Sequence, residues 1–283
     1  MTDLVETYRG GVIIQECDAF GHLNIAYYVE RFADGACELL QRLAPGSTWR
    51  TRAISTRYLS ELRAGDPIAI ASGIIAIDMA TLTIGHVATN GMGGPVTTVA
   101  EQVLSLDAPD GEAWSSRRQR LEASIAPWTE KRFEPVSLPE RAGPLITGMS
   151  RVKSWEADET GRLSLFGFVD RFSTANLVNM NRVGMDSTYM RAEKRGFATF
   201  ETRLELTQPS PEPGEGIITT SGIMDLGNSS VKILHEMRRA RGGARVARFF
   251  QAGVHFDLEA RRSAPLPEAL RAEARKLLIG AKA

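Results

Sequence analysis

Between Asn24 and Leu40 the apolar residues Ile25, Tyr28, Val29, Phe32, Ala36, Leu39 and Leu40 recur at the spacing of a helix with one buried face. Asn24 is the predicted N-cap, and Ala44-Pro45-Gly46-Ser47 ends the helix. A short strand-like run, Val12-Ile13-Ile14, leads into it. From Thr51 to Asp107 the period changes to extended segments: Ala53 to Leu59, Pro67 to Ile77, Thr81 to Thr89 and Val96 to Leu106. Turn residues at Arg63-Ala-Gly-Asp, Asp78-Met-Ala and Gly91-Met-Gly-Gly-Pro separate them. A long helix followed by hairpin-linked antiparallel strands is an α+β order, with the helix available to cover one sheet face. From Ala108 to about Ser150 the chain is charged and proline-bearing, with a helical piece near Arg117 to Ala126, and reads as a connector.

The second half repeats the first. Asp170-Arg-Phe-Ser-Thr-Ala-Asn176 aligns with Asp18-Ala-Phe-Gly-His-Leu-Asn24 at a constant shift of 152, which also sets Asp186 opposite Asp34. Ser221-Gly-Ile, His235 and Gln251 match Ser72-Gly-Ile, His86 and Gln102 at a shift of 149, so this alignment needs a three-residue loop deletion. The expected domains are residues 1–125, a linker at 126–148 and residues 149–283. In this register Ser173-Thr174 replaces Gly21-His22 and Asn179-Met180 replaces Tyr27-Tyr28, so the first half is expected to hold the working site.

Composition narrows the class. The 283 residues are 43% hydrophobic, enough for two ordinary domains, and Lys+Arg equal Asp+Glu at 34 each, which gives no broad attraction to nucleic acid. The N-terminus lacks an apolar core run and no apolar stretch approaches about 18 residues, so a cytoplasmic protein without a membrane span is expected. Cys17 and Cys37 are too few for a disulfide framework and are expected to be reduced thiols. The four histidines lack metal-ligand grouping, no Walker-type loop ends in Lys-Ser/Thr, and no Gly-x-Ser-x-Gly elbow is present. No metal site is expected.

The segment Asp18 to Asn24 carries the chemistry. Hydrolysis at an acyl carbonyl needs a group that attacks, or that deprotonates an attacking water, and positive charge where the carbonyl oxygen becomes negative. Asp18 offers a carboxylate. The first N–H groups of the following helix, at Ile25, Ala26 and Tyr27, can polarise a carbonyl. Gly21 allows a tight bend and close approach of a ligand, and His22 can hydrogen-bond within the loop or to substrate. Taken singly, these residues also read as a turn and a helix cap.

Asp18-x-x-Gly21-His22-x-Asn24-x-x-Tyr27-Tyr28 resembles the signature of the 4-hydroxybenzoyl-CoA thioesterase branch of the hot-dog superfamily. The resemblance runs through the strands to Leu106 and more weakly through the second half. It implies two tandem hot-dog domains, each a long helix wrapped by an antiparallel sheet, forming an intrachain pseudo-dimer. It also implies hydrolysis of an acyl-CoA or acyl-carrier thioester. Asp18, with His22 and Asn24, is then catalytic, as general base or as nucleophile through an anhydride. Gly21, Ile25, Ala26, Tyr27, Tyr28 and Asp34 would bind substrate. Relatives often carry a helix Glu near the position of Ala33. Here the acidic residues are Glu30, Asp34 and Glu38 instead, spaced four apart.

No cofactor is expected beyond coenzyme A as part of the substrate, and a homodimer or higher assembly is compatible with the fold. Arg57, Arg63, Arg203 and the run Arg238-Arg239-Ala-Arg241 are candidates for its phosphates. Two rival readings stand beside hydrolysis. One is an enoyl-thioester hydratase or dehydratase, although the Asn-Pro pattern of those hot-dog enzymes is missing. The other is a non-catalytic acyl-thioester binding protein.

Overall fold

The computed structural model describes residues 3–79, 81–106, 111–207 and 209–279; Asp107, the last residue of the expected strand region, lies outside them. The chain divides into two compact units, Met1–Glu134 and Pro135–Ala283.

In the first unit β1 (Val5–Gly11) leads through a 3-10 turn (Ile14–Glu16) to α1 (Ile25–Leu43). Then come β2 (Trp49–Tyr58), β3 (Pro67–Ile77), β4 (Thr81–Asn90), β5 (Val96–Leu106) and α2 (Gly111–Ala123). The strands pair antiparallel in the order β1-β3-β4-β5-β2. The strand of the lead-in is Val5–Gly11, and Val12-Ile13-Ile14 instead turns toward the helix. Ile13 and Ile14 are exposed, so apolar character there does not report a buried strand. Asn24 caps α1 by accepting the Ala26 N–H at 3.0 Å.

α1 packs against β1 and β3 through one face that buries Val29, Phe32, Ala36, Leu39 and Leu40. With Ile74, Leu82, Ile84, Leu104 and Leu121, the residues Ala36, Leu39 and Leu40 form one core cluster, each large apolar side chain contributing about 1.5–3 kcal/mol. Residues 126–148 include Arg132, paired with Glu101 at 2.8 Å, and Phe133, whose ring lies 4.5 Å from the Arg57 guanidinium carbon.

The second unit repeats the plan. β6 (Leu145–Arg151) starts within the stretch expected as linker. A 3-10 turn (Ser154–Glu156), α3 (Leu165–Arg182), α4 (Ser187–Glu193), β7 (Arg195–Leu206), β8 (Gly216–Leu226), β9 (Ser230–Arg239), β10 (Arg245–Asp257), β11 (Arg262–Ser263) and α5 (Glu268–Arg275) follow. Its strands run β6-β8-β9-β10-β7, with β11 on β10.

The repeat register differs from the sequence expectation. The 3-10 turns Ile14–Glu16 and Ser154–Glu156 and the pairs Arg31–Glu16 and Arg171–Glu156 correspond at a shift of 140. Ser72–His86 and Ser221–His235 correspond at 149. The change is an insertion rather than a deletion, and it falls after the central helix, where only the second unit carries α4. Asp170 therefore lies inside α3, opposite Glu30. Asp186 is the N-cap of α4, accepting the Thr188 and Tyr189 N–H groups, and is not the partner of Asp34.

A buried polar chain lies beneath each central helix. In the first unit the Thr7 and Ser72 hydroxyls are 2.6 Å apart, Ser72 Oγ is 2.8 Å from His86 Nδ1, and His86 Nε2 is 3.1 Å from Gln102 Oε1. Gln102 Nε2 donates to Thr51 Oγ1 at 2.7 Å, and the Phe32 ring covers His86 at 5.1 Å. Burial pushes the pKa of His86 down to about 3, so the ring is neutral.

Candidate functional site

The Asp18 loop is held from three sides. Asp18 N–H donates to the His22 carbonyl at 2.8 Å, and Gly21 N–H donates to the Asp18 carbonyl at 3.0 Å. The Oδ1 atom of Asp18 accepts the Phe20 and His22 N–H groups at 2.8 and 3.1 Å. This closure requires the left-handed backbone of Gly21, φ 77°, which a side chain would strain. Leu23 N–H anchors the far end on the carbonyl of the fully buried Leu62 at 2.8 Å.

The third support was not visible in the sequence. Arg31, 3% exposed on α1, donates to Glu16 Oε2 at 2.8 Å and to Tyr8 Oη at 3.0 Å. Glu16 also accepts the Ile13 N–H at 3.0 Å. Burial opposes the charge of Arg31, but Glu16 and Tyr8 outweigh it and raise its pKa above the ordinary value. The signal for this pair was its recurrence as Glu156 and Arg171, hidden by reading the repeat at 152 instead of 140.

Asp18 is exposed, and its Oδ2 makes no hydrogen bond among the described residues. His22 Nε2 lies 3.2 Å from Glu61 Oε2 and 3.1 Å from Arg63 Nη2. Arg63 can only donate and Glu61 can only accept, so one ring nitrogen cannot serve both at once, and the imidazole has two local hydrogen-bonding states. Burial, opposed by a hydrogen bond from the Ala64 backbone, raises the Cys17 thiol, and the Asp18 and Glu16 carboxylates add to it.

The other expected site residues divide. Ile25 opens α1 directly after the loop, and its N–H makes no hydrogen bond among the described residues. The Ala26 N–H is taken by Asn24 Oδ1 and the Tyr27 N–H by the Asn24 carbonyl at 3.0 Å, so neither is available to a carbonyl in this conformation. Asn24 acts here as the cap. Tyr28 is buried, its ring 5.5 Å from that of Tyr58, and burial pushes its phenol up to about 12. Asp34 is exposed, nine residues and so about 14 Å along α1 from Ile25. Glu30 stands between them, and burial, with Asp34 adding to it, raises its carboxyl; burial does the same to Asp170 in the matching position.

The second unit rebuilds the loop with Asp158. Its N–H donates to the Arg162 carbonyl at 2.8 Å, and its Oδ1 accepts the Thr160 and Arg162 N–H groups at 2.9 and 3.3 Å. Gly161 has φ 75°, and Ser164 caps α3. The aspartate and glycine are thus kept, while Arg162 replaces His22 and Ser164 replaces Asn24. Arg162 is committed to Glu212 at 2.9 Å and to the Ser210 carbonyl at 2.8 Å.

A family model described as thioesterase-like superfamily matches residues 12–141 and again 152–273. The chain belongs to the thioesterase-like superfamily. It consists of two tandem hot-dog domains of the thioester-hydrolase class. An acyl-ACP thioesterase from Bacteroides thetaiotaomicron is similar at 9% identity and TM-score 0.62, covering 88% of this chain and 96% of that one. A protein named as an oleoyl thioesterase from Lactobacillus plantarum has 10% identity, TM-score 0.67 and coverages of 94% and 98%. The 12:0-ACP thioesterase from Umbellularia californica has 11% identity, TM-score 0.61 and coverages of 88% and 93%. At these identities the likeness is one of fold. No curated protein matches the chain.

Among the described residues of this thioesterase-like chain, no group of three His, Cys, Asp or Glu is placed to hold a metal, and no helix is long and apolar enough to cross a membrane. The arginines considered for a coenzyme have local partners: Arg57 the Lys131 carbonyl, Arg203 Glu205, Arg238 Glu236 and Arg239 Glu215. Arg239 also lines a cavity of about 740 Å³ with Arg151 and Arg241.

Proposed function

We propose that this chain hydrolyses an acyl thioester, of coenzyme A or of an acyl carrier, at the Asp18 loop. The observation that carries the reading is the division of labour within one carboxylate. Oδ1 fastens the loop, while among the described residues Oδ2 of the exposed Asp18 makes no hydrogen bond, and neither does the Ile25 N–H that opens α1 after the loop.

Two routes use that oxygen. As general base, Oδ2 takes a proton from a water whose oxygen attacks the thioester carbonyl. As nucleophile, it attacks the carbonyl itself, expels the thiolate and leaves a mixed anhydride that water opens. In both, the positive end of α1 stabilises the oxyanion. His22 sits in the same loop, where its link to Glu61 or Arg63 orients the ring. The Asp158 loop is the weaker candidate, because Arg162 is locked to Glu212 and no imidazole is present.

A second reading has one observation behind it. Asp158 fastens its loop by the same bonds without the histidine, so the aspartate can be a fastener alone, in a protein that binds acyl thioesters without cleaving them. Thiol release from a panel of short, branched, aromatic and long acyl-CoAs, on wild type and Asp18→Asn, decides between them. Release lost in Asp18→Asn supports hydrolysis at Asp18. Full release in that variant assigns the chemistry elsewhere, and binding without release by wild type establishes the second reading. Transfer of ¹⁸O from labelled water into the Asp18 carboxylate over several turnovers identifies the nucleophilic route.

A further inference from the structure

Three buried side-chain atoms of α3 have no hydrogen-bond partner among the described residues: Asn176 Oδ1 and both amide atoms of Asn179. They lie on the buried face of α3, which looks across the interior to β9 and β10. The Phe172 ring of α3 lies 5.9 Å from the His235 ring of β9, Asn176 follows Phe172 by one helical turn, and Asn179 follows Asn176 by three residues on the same buried face. Gln251 stands on the neighbouring strand β10 and uses its Nε2 on Thr199 Oγ1 at 2.6 Å. Its Oε1 faces His235 Nε2, as Gln102 Oε1 faces His86 Nε2 in the first unit.

The N-terminal unit is an internal control. At the shift of 140, Asn176 and Asn179 correspond to Ala36 and Leu39, which are buried members of an apolar core. An unpaired buried amide costs about 1–3 kcal/mol per group. The chain keeps two such residues where its own repeat keeps alanine and leucine, so they are not there for stability. Asn176 is 9% exposed and Asn179 0%, which makes a polar track from the rim of α3 to its buried side. The track is uncharged and offers two acceptor oxygens with the Asn179 amide donor. A hydroxyl, which donates and accepts, complements that set, whereas a carboxylate would meet oxygens.

We propose that the interior of the C-terminal unit beneath α3 is a binding recess for the hydroxyl of an oxygenated acyl chain, with Asn176 and Asn179 as the specificity-determining residues. This rests on the acyl-thioester reading above and adds the substrate class. The recess is built from α3, β9 and β10.

The test is binding by the full chain of decanoic acid and of 2-, 3- and 10-hydroxydecanoic acid, followed by thermal shift and titration, with hydrolysis of the corresponding CoA esters run alongside. Wild type should bind at least one hydroxy acid about five- to ten-fold more tightly than decanoic acid. Asn176→Ala/Asn179→Leu, which installs the N-terminal residues, should lose that preference while still binding decanoic acid. Asn179→Ala, which adds no volume, makes the same test if the double variant does not fold. Equal affinity for hydroxylated and plain acids in wild type, or an unchanged preference in the variants, overturns the proposal and leaves the asparagines to buried water. Failure of the hydrolytic reading looks different: no thiol is released from any ester, whatever the binding preference.

Discussion

Arg31 on the central helix and Glu16 in the 3-10 turn meet at 2.8 Å, and through this contact the helix holds the segment that presents Asp18. Fifteen residues separate the two in sequence. The same contact recurs between Arg171 and Glu156, so it belongs to the architecture of the repeat rather than to one site.

Arg31→Met should therefore act on stability and activity together. It leaves Glu16 partly buried without its cation, a loss of about 3 kcal/mol. Chemical denaturation should show that loss, and thiol release should fall beyond what the unfolded fraction explains, because the Asp18 loop loses its support. Unchanged turnover in the folded fraction would show that the loop holds its geometry without Arg31.

Asp18→Asn separates fastening from chemistry. Asparagine keeps an acceptor oxygen for the Phe20 and His22 N–H groups, so the melting temperature should move by only a few degrees. Turnover should fall by about 10²-fold or more, the size of a lost general base. Asp18→Ala should lose the same activity and, in addition, about 1 kcal/mol of stability. Asp158→Asn should leave turnover close to wild type.

Gly21→Ala tests the backbone alone. A Cβ at Gly21 meets nothing within 4 Å, so the penalty is the positive φ and should be about 1–2 kcal/mol. Gly161→Ala, equally open at φ 75°, should show the same loss by denaturation but little change in thiol release.

The buried histidines set an acid limit. The folded-state pKa of His86 and of His235 is pushed by burial from 6.5 to about 3. Between those values the unfolded chain binds more protons, so the contribution of each ring is complete above about pH 6.5 and is lost as the pH falls toward 3. The slope is about 1.4 kcal/mol per pH unit for each ring within that window. Denaturation between pH 6.5 and 5, above most carboxylate titration, should show this slope, and His86→Gln should reduce it by roughly half.

The sequence by itself determined what is decided within a few residues. The helical period of Ile25 to Leu40 placed α1, and the alternation and turns placed β3, β4 and β5. Asn24 marked the cap because its side chain reaches the next turn, and Gly21 marked a bend that only a residue without Cβ makes easily. Matching residue types, however, set Asp170 against Asp18, when the loop with the same backbone is built on Asp158. An identity of letters does not report φ and ψ, and Asp170 sits on a helix. The availability of the N–H groups was also beyond the sequence, since Asn24 takes the Ala26 N–H only in the capped geometry. The Arg31–Glu16 contact and the Ser72–His86–Gln102 chain depend on helix packing and strand register, which bring together residues 14 to 16 apart. Those distances are set by the strand pairing and the covering helix, so only the tertiary structure could decide which polar groups of Asp18 and its loop are committed and which remain for a substrate.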